Sequence, residues 1–167
     1  MNPCTRFWKI TGIILAIIII ALGLYSYIES DWRIANQHED PCQQNVLNIY
    51  GRKDKWCPPI SIEEYFVAIN IICLLVSLIS FWYTKCLEKP SYIMKKVDIF
   101  YHWLAALLLL IAGILFIASA ITVLTMHLMI GRRELNMRTI EKVIAGALTI
   151  IQALVYCSIG FFLGRRE

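Results

Sequence analysis

The sequence predicts an all-α membrane protein, a four-transmembrane-helix bundle with one larger extracellular loop between helices 1 and 2. Composition and four long apolar stretches predict this fold. Hydrophobic residues make up 59% of the 167 positions and charged residues 17%, whereas soluble domains are about half apolar and a quarter charged. Because so little sequence lies outside the apolar stretches, we expect residues 1–167 to form a single membrane domain.

Each apolar stretch is long enough to cross a bilayer, whose hydrocarbon core takes about 20 helical residues. The predicted spans cover about residues 10–28, 65–83, 99–125 and 143–163. Aromatic residues typical of membrane interfaces crowd their ends: Phe7, Trp8, Tyr25, Tyr27, Phe81, Trp82, Tyr83, Phe100, Tyr101, Trp103, Phe161 and Phe162. Apolar residues continue the third span to Ile130, so we expect it to project beyond the headgroups.

The first span has a second interpretation. Arg6 and Lys9 would form the basic region and Ala21-Leu22-Gly23 the small-residue cleavage site of a signal peptide, so a cleaved signal peptide is the alternative. However, the apolar run is longer than the roughly 7–15 residues of a signal core, and Tyr25 and Tyr27 continue it. We therefore interpret it as an uncleaved membrane anchor.

A bare count of basic residues does not orient the chain, because eight lie on each side of the predicted membrane. One side has Arg6, Lys9, Lys85, Lys89, Lys95, Lys96, Arg165 and Arg166; the other has Arg33, Arg52, Lys53, Lys55, Arg132, Arg133, Arg138 and Lys142. The long first loop, however, pairs its basic residues with seven acidic ones. This distribution, together with the cysteines, favours cytoplasmic N- and C-termini in the plasma membrane.

Four cysteines divide between the two sides. Cys42 and Cys57 lie in the predicted extracellular loop, at about residues 29–64, where an oxidising environment permits a disulfide bond. Cys4 and Cys86 lie beside the first two spans on the opposite side, where S-palmitoylation occurs. We predict the disulfide, with two unrelated thiols as the alternative, while palmitoylation and free thiols both stay open for Cys4 and Cys86.

Polar residues inside spans are the first place to look for chemistry. No predicted span has a charged residue in its middle, and the strongest polar candidates are Asn70, His102 and Gln152. We interpret Asn70 and Gln152 as helix-packing residues that hydrogen-bond between helices, with an ion pathway as the alternative. His102, beside Trp103 near a predicted interface, is interpreted as an anchor.

Motifs that carry catalysis are missing from the sequence. It has no glycine-rich phosphate loop, His-Glu-x-x-His, Gly-x-Ser-x-Gly or Cys-x-x-Cys. The polar run His38-Glu39-Asp40 is interpreted as solvated loop rather than as a metal site. We expect no enzyme activity and no cofactor, and the modest net charge of +4 gives no support to a nucleic-acid partner.

The fourth span has small side chains at a spacing of four residues, which lets another helix approach closely. These residues are Ala145, Thr149, Ala153 and Cys157, followed by Gly160 and Gly164. Packing within the bundle explains them. A lateral contact with another membrane protein, or with a second copy in a homo-oligomer, is the alternative.

Several stretches carry a family resemblance. In the third span they are residues 97–100, 104–112 and 118–120, and in the fourth they are residues 145–148 and 151–156, followed by Arg165 and Arg166. These stretches resemble the MARVEL-type tetraspans, the group that includes MAL, occludin and synaptophysin relatives. The first two spans resemble that group mainly in topology.

The first loop departs from the MAL-like pattern, because it is longer and carries Cys42 and Cys57. A cysteine-paired first loop is similar to that of claudins, but Trp32 and Trp56 do not lie in the claudin Gly-Leu-Trp-x-x-Cys context. The whole chain resembles the small insect tetraspans of the Pasiflora and Fire exit type. That resemblance implies a component of septate junctions that supports a paracellular barrier.

The leading expectation is therefore a non-enzymatic structural tetraspan whose partners are the lipid bilayer and other membrane proteins at cell junctions. The alternative is a membrane-trafficking or vesicle-organising tetraspan similar to MAL and synaptophysin, suggested by Cys4 and Cys86. A transporter or channel is a third class, suggested only by Asn70 and Gln152.

Overall fold

The computed structural model describes residues 3–32, 58–86, 92–126, 129–130, 133–134 and 138–165. Within these ranges it has four long helices: α1 (Pro3–Ile28), α2 (Ser61–Cys86), α3 (Tyr92–Met126) and α4 (Thr139–Gly164). Two short strands, β1 (Met129–Ile130) and β2 (Arg133–Glu134), pair antiparallel between α3 and α4. All four helices are long and apolar enough to cross a membrane. The predicted four-helix membrane bundle is confirmed.

The third helix extends in the direction opposite to the one that the sequence predicted. α3 has 35 residues, and it begins at Tyr92 rather than near residue 99. No Gly or Pro interrupts residues 91–112, so the helix is free to extend back toward Pro90. At its other end it stops at Met126, and Ile130 belongs to β1.

The helices pack as a ring in the order α1, α2, α3, α4, with the most extensive contact between α3 and α4. Neighbouring helices run in opposite directions, since Lys9 near the start of α1 contacts Ser80 near the end of α2. Lys9 also contacts Asp98 near the start of α3. We call the end of the bundle that holds these residues the terminal end, and the opposite end, where α2 and α4 begin, the loop end.

Apolar side chains lie both inside and outside this bundle. At its centre the rings of Phe66 and Phe116 stack, with 3.9 Å between centroids and 12° between planes. The core around them includes Ile19, Ile69, Cys73, Ala105, Leu109, Ala112, Ala145, Ala153 and Tyr156. Outside, residues such as Ile17, Leu75 and Leu154 are about half exposed or more. An apolar exterior of this kind suits lipid rather than water.

Two glycines bring α3 and α4 close together. A Cβ atom on Gly113 would lie 2.9 Å from the carbonyl oxygen of Gly146, and one on Gly146 would lie 3.1 Å from the carbonyl oxygen of Gly113. A Cβ atom on Gly146 would also lie 2.5 Å from Cγ1 of Ile117, so neither position takes a side chain unless neighbouring atoms shift. This backbone contact lets the two helices pack as membrane helices do, through small residues.

Candidate functional site

The loop end of the bundle is fastened by a buried ion pair. Lys142, in the first turn of α4, places its Nζ 2.6 Å from Oε1 of Glu63 in the first turn of α2. The same Nζ donates a hydrogen bond of 2.9 Å to Oγ of Ser30, just after α1. The Lys142 and Glu63 side chains are only 2% and 1% exposed. We call Ser30, Glu63 and Lys142 the loop clamp.

The loop clamp brackets the long loop of the protein. Ser30 lies in the first stem of that loop, just after α1, and Glu63 lies in its second stem, in the first turn of α2. A single ammonium group of α4 therefore holds both stems. Trp32, further along the first stem, is fully buried. A charge-assisted hydrogen bond is strong in such a low-dielectric setting, and removing one partner leaves the other as an unpaired buried charge.

A second buried cluster lies at the terminal end and joins α1, α2 and α3. Lys9 Nζ lies 2.7 Å from Asp98 Oδ2 and 2.8 Å from Ser80 Oγ. Ser80 Oγ donates to Asp98 Oδ1 at 2.6 Å. The His102 ring nitrogen Nδ1 lies 3.3 Å from the same Oδ1 and 2.7 Å from the backbone oxygen of Asp98. We call Lys9, Ser80, Asp98 and His102 the terminal cluster.

Next to the terminal cluster, three hydroxyl groups meet inside the bundle. Ser77 Oγ of α2 shares hydrogen bonds with the hydroxyls of Tyr101 on α3, at 3.0 Å, and Tyr156 on α4. Tyr101 also donates to the backbone oxygen of Cys73 at 2.7 Å. We call Ser77, Tyr101 and Tyr156 the hydroxyl cluster. It satisfies polar groups that would otherwise be stranded at membrane depth.

His102 lies inside the bundle rather than at an interface. Its side chain is 2% exposed, and its ring centroid is 5.0 Å from that of Tyr101 and 5.5 Å from that of Tyr156. Trp103, its neighbour, is 48% exposed and faces outward. The predicted anchoring role therefore fits Trp103, while His102 belongs to the interior.

Asn70 and Gln152 are fully buried, but the interhelical hydrogen bonds expected from them are not seen among the described residues. Asn70 Nδ2 donates to the backbone oxygen of Phe66 on its own helix at 2.8 Å, and its Oδ1 has no partner there. Both polar atoms of the Gln152 amide, Nε2 and Oε1, are buried without a hydrogen-bond partner among the described residues.

Most of the predicted small-residue stripe of α4 lies in helix contacts. Ala145, Thr149 and Ala153 are buried, Cys157 packs against the core, and Gly160 lies against Trp103, whose Nε1 would be 3.1 Å from an added Cβ. Gly164 is different, since an added Cβ there would meet no atom of the described residues within 4 Å. The packing role of Gly164 stays a prediction.

The structure describes the backbone at Cys4 and Cys86 but not at Cys42 and Cys57. Cys42 and Cys57 lie outside the described residues, as do His38, Glu39 and Asp40, so the disulfide stays a prediction. Cys4 lies near the start of α1, and Cys86 is the last residue of α2. Both backbone positions therefore lie at the terminal end, on the same side of the bundle.

Comparison with known proteins gives no family for this chain. No family model matches it, and no curated protein or solved structure matches it either. Within the part of the chain that the structure describes, no three His, Cys, Asp or Glu side chains come together as metal ligands would.

Sequence reasoning missed both charge clusters, because it treated Lys9, Glu63, Asp98 and Lys142 as flanking charges. A signal for them was present in the helical periodicity. On α4, Lys142 lies on the same stripe as Ala145, Thr149 and Tyr156, all of which are buried. A charged residue that continues a buried stripe at intervals of three or four faces the bundle interior.

Proposed function

We propose that the protein is a non-enzymatic structural tetraspan of the plasma membrane that presents its first loop to partners at cell junctions of the septate type, where it supports a paracellular barrier. The loop clamp carries the proposal. Lys142 binds Ser30 and Glu63, which lie in the two stems of the loop. The bundle thus holds both ends of the first loop, the largest polar segment of the chain, close together.

Holding the stems matters for binding, because a loop whose ends are fixed loses less freedom when it meets a partner. The loop has the composition of a contact surface. Val46, Leu47, Ile49 and Tyr50 precede Gly51 and the charged residues 52–55, so apolar and charged groups lie side by side in the sequence. In the proposal, the predicted bond between Cys42 and Cys57 closes this segment.

The proposed orientation has both termini in the cytoplasm and the loop outside. It accounts for a paired Cys42 and Cys57 in an oxidising compartment and for thiols at the cytosolic side. Tags at either terminus should then bind antibody only after permeabilisation, while a tag between Gln44 and Asn48 should label intact cells. A terminal tag that labels intact cells contradicts this orientation.

Barrier function is tested by tracer leakage across a polarised epithelium that lacks the protein. We expect leakage to rise, and re-expression of the wild-type chain to restore the barrier. Lys142→Met should fail to restore it, because the loop stems are released. Lys95→Met, which removes an exposed lysine of α3, is the matched control and should restore it. An intact barrier without the protein contradicts the proposal.

A second candidate function, in membrane trafficking or vesicle organisation, is favoured by one observation. The backbone positions of Cys4 and Cys86 lie at the same end of the bundle, so two acyl chains there would enter the same leaflet and strengthen its anchoring. Under this alternative, Cys4→Ser with Cys86→Ser reduces incorporation of a palmitate analogue and surface delivery. A tagged chain that stays in vesicles and never reaches lateral membranes favours trafficking over the junction.

A further inference from the structure

Exposed basic side chains surround the terminal end of the bundle. They are Arg6 on α1, Lys95 and Lys96 on α3, and Arg165 just after α4. Asp98, the acidic residue that the structure describes at this end, is only 13% exposed and is held inside the terminal cluster. Among the described residues, the surface of this end therefore carries basic side chains without acidic ones.

The loop end has the opposite balance of charge. Its described side chains that are at least partly exposed include four acidic ones and one basic one, namely Glu29, Asp31, Glu64, Glu141 and Arg138. Lys142 is buried in the loop clamp. The count of basic residues along the sequence does not distinguish the two ends, because it ignores both burial and acidic neighbours.

Two of the basic residues at the terminal end lie at nearly the same depth. Lys9 and Asp98 are in contact at 2.7 Å and mark one level of α1 and α3, which run in the same direction. Arg6 lies three residues before Lys9, on α1. Lys96 lies two residues before Asp98, on α3. At a rise of about 1.5 Å per residue, both are about 3–5 Å further out than the ion pair.

Arg165 lies at the level of the same ion pair. Gly160 of α4 packs against Trp103 of α3, and these two helices run in opposite directions. Arg165 follows Gly160 by five residues. Asp98 precedes Trp103 by the same number, so Arg165 is level with Asp98. Basic residues of three helices thus lie within about 5 Å of one another in depth.

Position on the helix separates the two neighbouring lysines of α3. Residues seven apart lie on nearly the same side of a helix. Lys95 lies seven residues before His102 and fourteen before Leu109, both of which are buried, so it continues the inner side of α3. Lys96 lies seven residues before Trp103, which is 48% exposed, so it continues the outer side.

Arg6 and Arg165 also lie outside the buried side of their helices. Arg6 is seven residues before Ile13, which is partly exposed. Arg165 is fourteen residues after Ile151, which is 50% exposed. Its guanidinium carbon lies 4.4 Å from the centre of the Phe161 ring on the outside of α4. We call Arg6, Lys96 and Arg165 the basic collar.

Exposed aromatic rings lie beside the basic collar. Lys96 Nζ lies 4.5 Å from the centre of the ring of Tyr92, which is 63% exposed. Trp82 follows Ser80, the partner of Asp98, by two residues and is 70% exposed, so it is level with Lys96. Exposed aromatic rings are typical of the level of the lipid headgroups. The basic collar therefore meets the headgroups of one leaflet.

We propose that the basic collar binds anionic phospholipid headgroups in the leaflet around the terminal end. Guanidinium and ammonium groups donate charge-assisted hydrogen bonds to phosphate oxygens, and basic residues beside a transmembrane helix attract anionic lipids. Zwitterionic headgroups have no net charge and are attracted much less. This binding is independent of the proposed role at junctions, since it depends only on the chain and the lipid. With cytoplasmic termini, the collar meets the leaflet that carries anionic lipids.

Electron paramagnetic resonance of spin-labelled lipids tests this binding with the full chain reconstituted in phosphatidylcholine membranes. The spectrum gives the fraction of labelled phosphatidylserine or phosphatidylcholine that the protein immobilises. At about 0.1 M salt, we expect the association constant of phosphatidylserine to be at least about threefold that of phosphatidylcholine. At about 1 M salt, which screens the charges, this ratio should approach one. Equal association constants at the lower salt concentration overturn the proposal.

Arg6→Gln, Lys96→Gln and Arg165→Gln together remove the charges of the basic collar. The three side chains are exposed, so the bundle should keep its fold, and the ratio should fall at least about twofold. The matched variant with Arg6→Lys, Lys96→Arg and Arg165→Lys keeps every charge and should keep the ratio. A ratio that is unchanged in the first variant, or lost in the second, overturns the proposal.

The two neighbouring lysines of α3 separate contact with headgroups from a general effect of net charge. Lys95→Gln and Lys96→Gln each remove one charge from adjacent positions, but only Lys96 lies on the outer side. We expect Lys96→Gln to lower the ratio more than Lys95→Gln does, and equal effects contradict binding at the collar. Should the triple glutamine variant fail to reconstitute, these two single variants and the wild-type chain still decide.

Discussion

Lys142 and Glu63 form a 2.6 Å ion pair inside the loop end of the bundle, although 79 positions separate them in the sequence. Lys142 lies in the first turn of α4, and Glu63 lies in the first turn of α2, where the chain re-enters the bundle after its long loop. Ser30, on the other side of that loop, binds the same ammonium group. Lys142 therefore attaches both stems of the loop to α4, a helix that follows neither α1 nor α2 directly in the sequence.

At the terminal end, the Asp98 carboxylate accepts from Lys9 and Ser80, and the His102 ring nitrogen Nδ1 lies 3.3 Å from it. Asp98→Ala leaves the Lys9 charge buried without its carboxylate, so we expect the free energy of unfolding to fall by about 3–5 kcal/mol. Ser80→Ala removes one hydroxyl group and should lower it by only about 1 kcal/mol. Unfolding of the purified chain in detergent measures both.

The control for these variants is Ser158→Ala. The Ser158 hydroxyl is exposed and donates to Leu154 on its own helix, so its removal should leave the unfolding free energy unchanged within about 0.5 kcal/mol. If Asp98→Ala is no more destabilising than Ser158→Ala, the terminal cluster does not support the bundle.

The contact between α3 and α4 depends on Gly146. Gly146→Val places a branched side chain against the carbonyl oxygen of Gly113, and overpacking of this kind lowers the unfolding free energy by about 1–3 kcal/mol. Gly164→Val adds the same side chain to the same helix where an added Cβ would meet no atom of the described residues within 4 Å, and it should have little effect. Thermal unfolding measures the Tm of both variants. Equal Tm values would contradict the close contact between α3 and α4.

The aromatic stack at the centre of the bundle gives a prediction about packing. Phe116→Ala removes the ring that lies 3.9 Å from that of Phe66 and leaves a cavity, so we expect a loss of about 3–5 kcal/mol in the unfolding free energy. Phe161→Ala is the control, because Phe161 is 47% exposed on the outside of α4. Comparable losses for the two variants argue against the stack.

The loop between α1 and α2 gives a prediction about a single shared bond. Cys42→Ser and Cys57→Ser should have the same effect on stability, and the double variant should be no worse than either. A closed loop of about 15 residues contributes about 3 kcal/mol through the unfolded chain. Mass mapping without reductant should find a peptide that joins the two cysteines. Recovery of both as free thiols from surface protein contradicts the pairing.

The number and position of the helices could be predicted from the sequence, because the requirement for about 20 apolar residues is local. The block of residues 13–20, for example, contains no polar side chain, and it lies within α1. The start of α3 could not be predicted in this way. Tyr92 and the residues before Asp98 are partly polar, so hydropathy excludes them, although nothing in their backbone prevents a helix.

The buried charges were missed for a different physical reason. Hydropathy averages a segment and does not record which side of the helix a residue is on, so Lys9 and Asp98 counted only as charges near a span. Their burial depends on a partner from another helix, and Lys9 and Asp98 lie 89 positions apart. Side-chain periodicity on one helix can suggest such a residue, as it does for Lys142, but it does not identify the partner.

The central claim, that Lys142 and Glu63 hold the bundle together at the loop end, is tested most directly by exchanging their charges. Glu63→Lys alone and Lys142→Glu alone each bury two like charges, so each should lower the unfolding free energy in detergent by about 3–5 kcal/mol or more. The exchanged double variant restores an ion pair, and Ser30 can donate to a carboxylate as readily as it accepts from an ammonium group. We predict that the double variant recovers most of the loss, whereas a double variant as unstable as the sum of the single ones contradicts the claim.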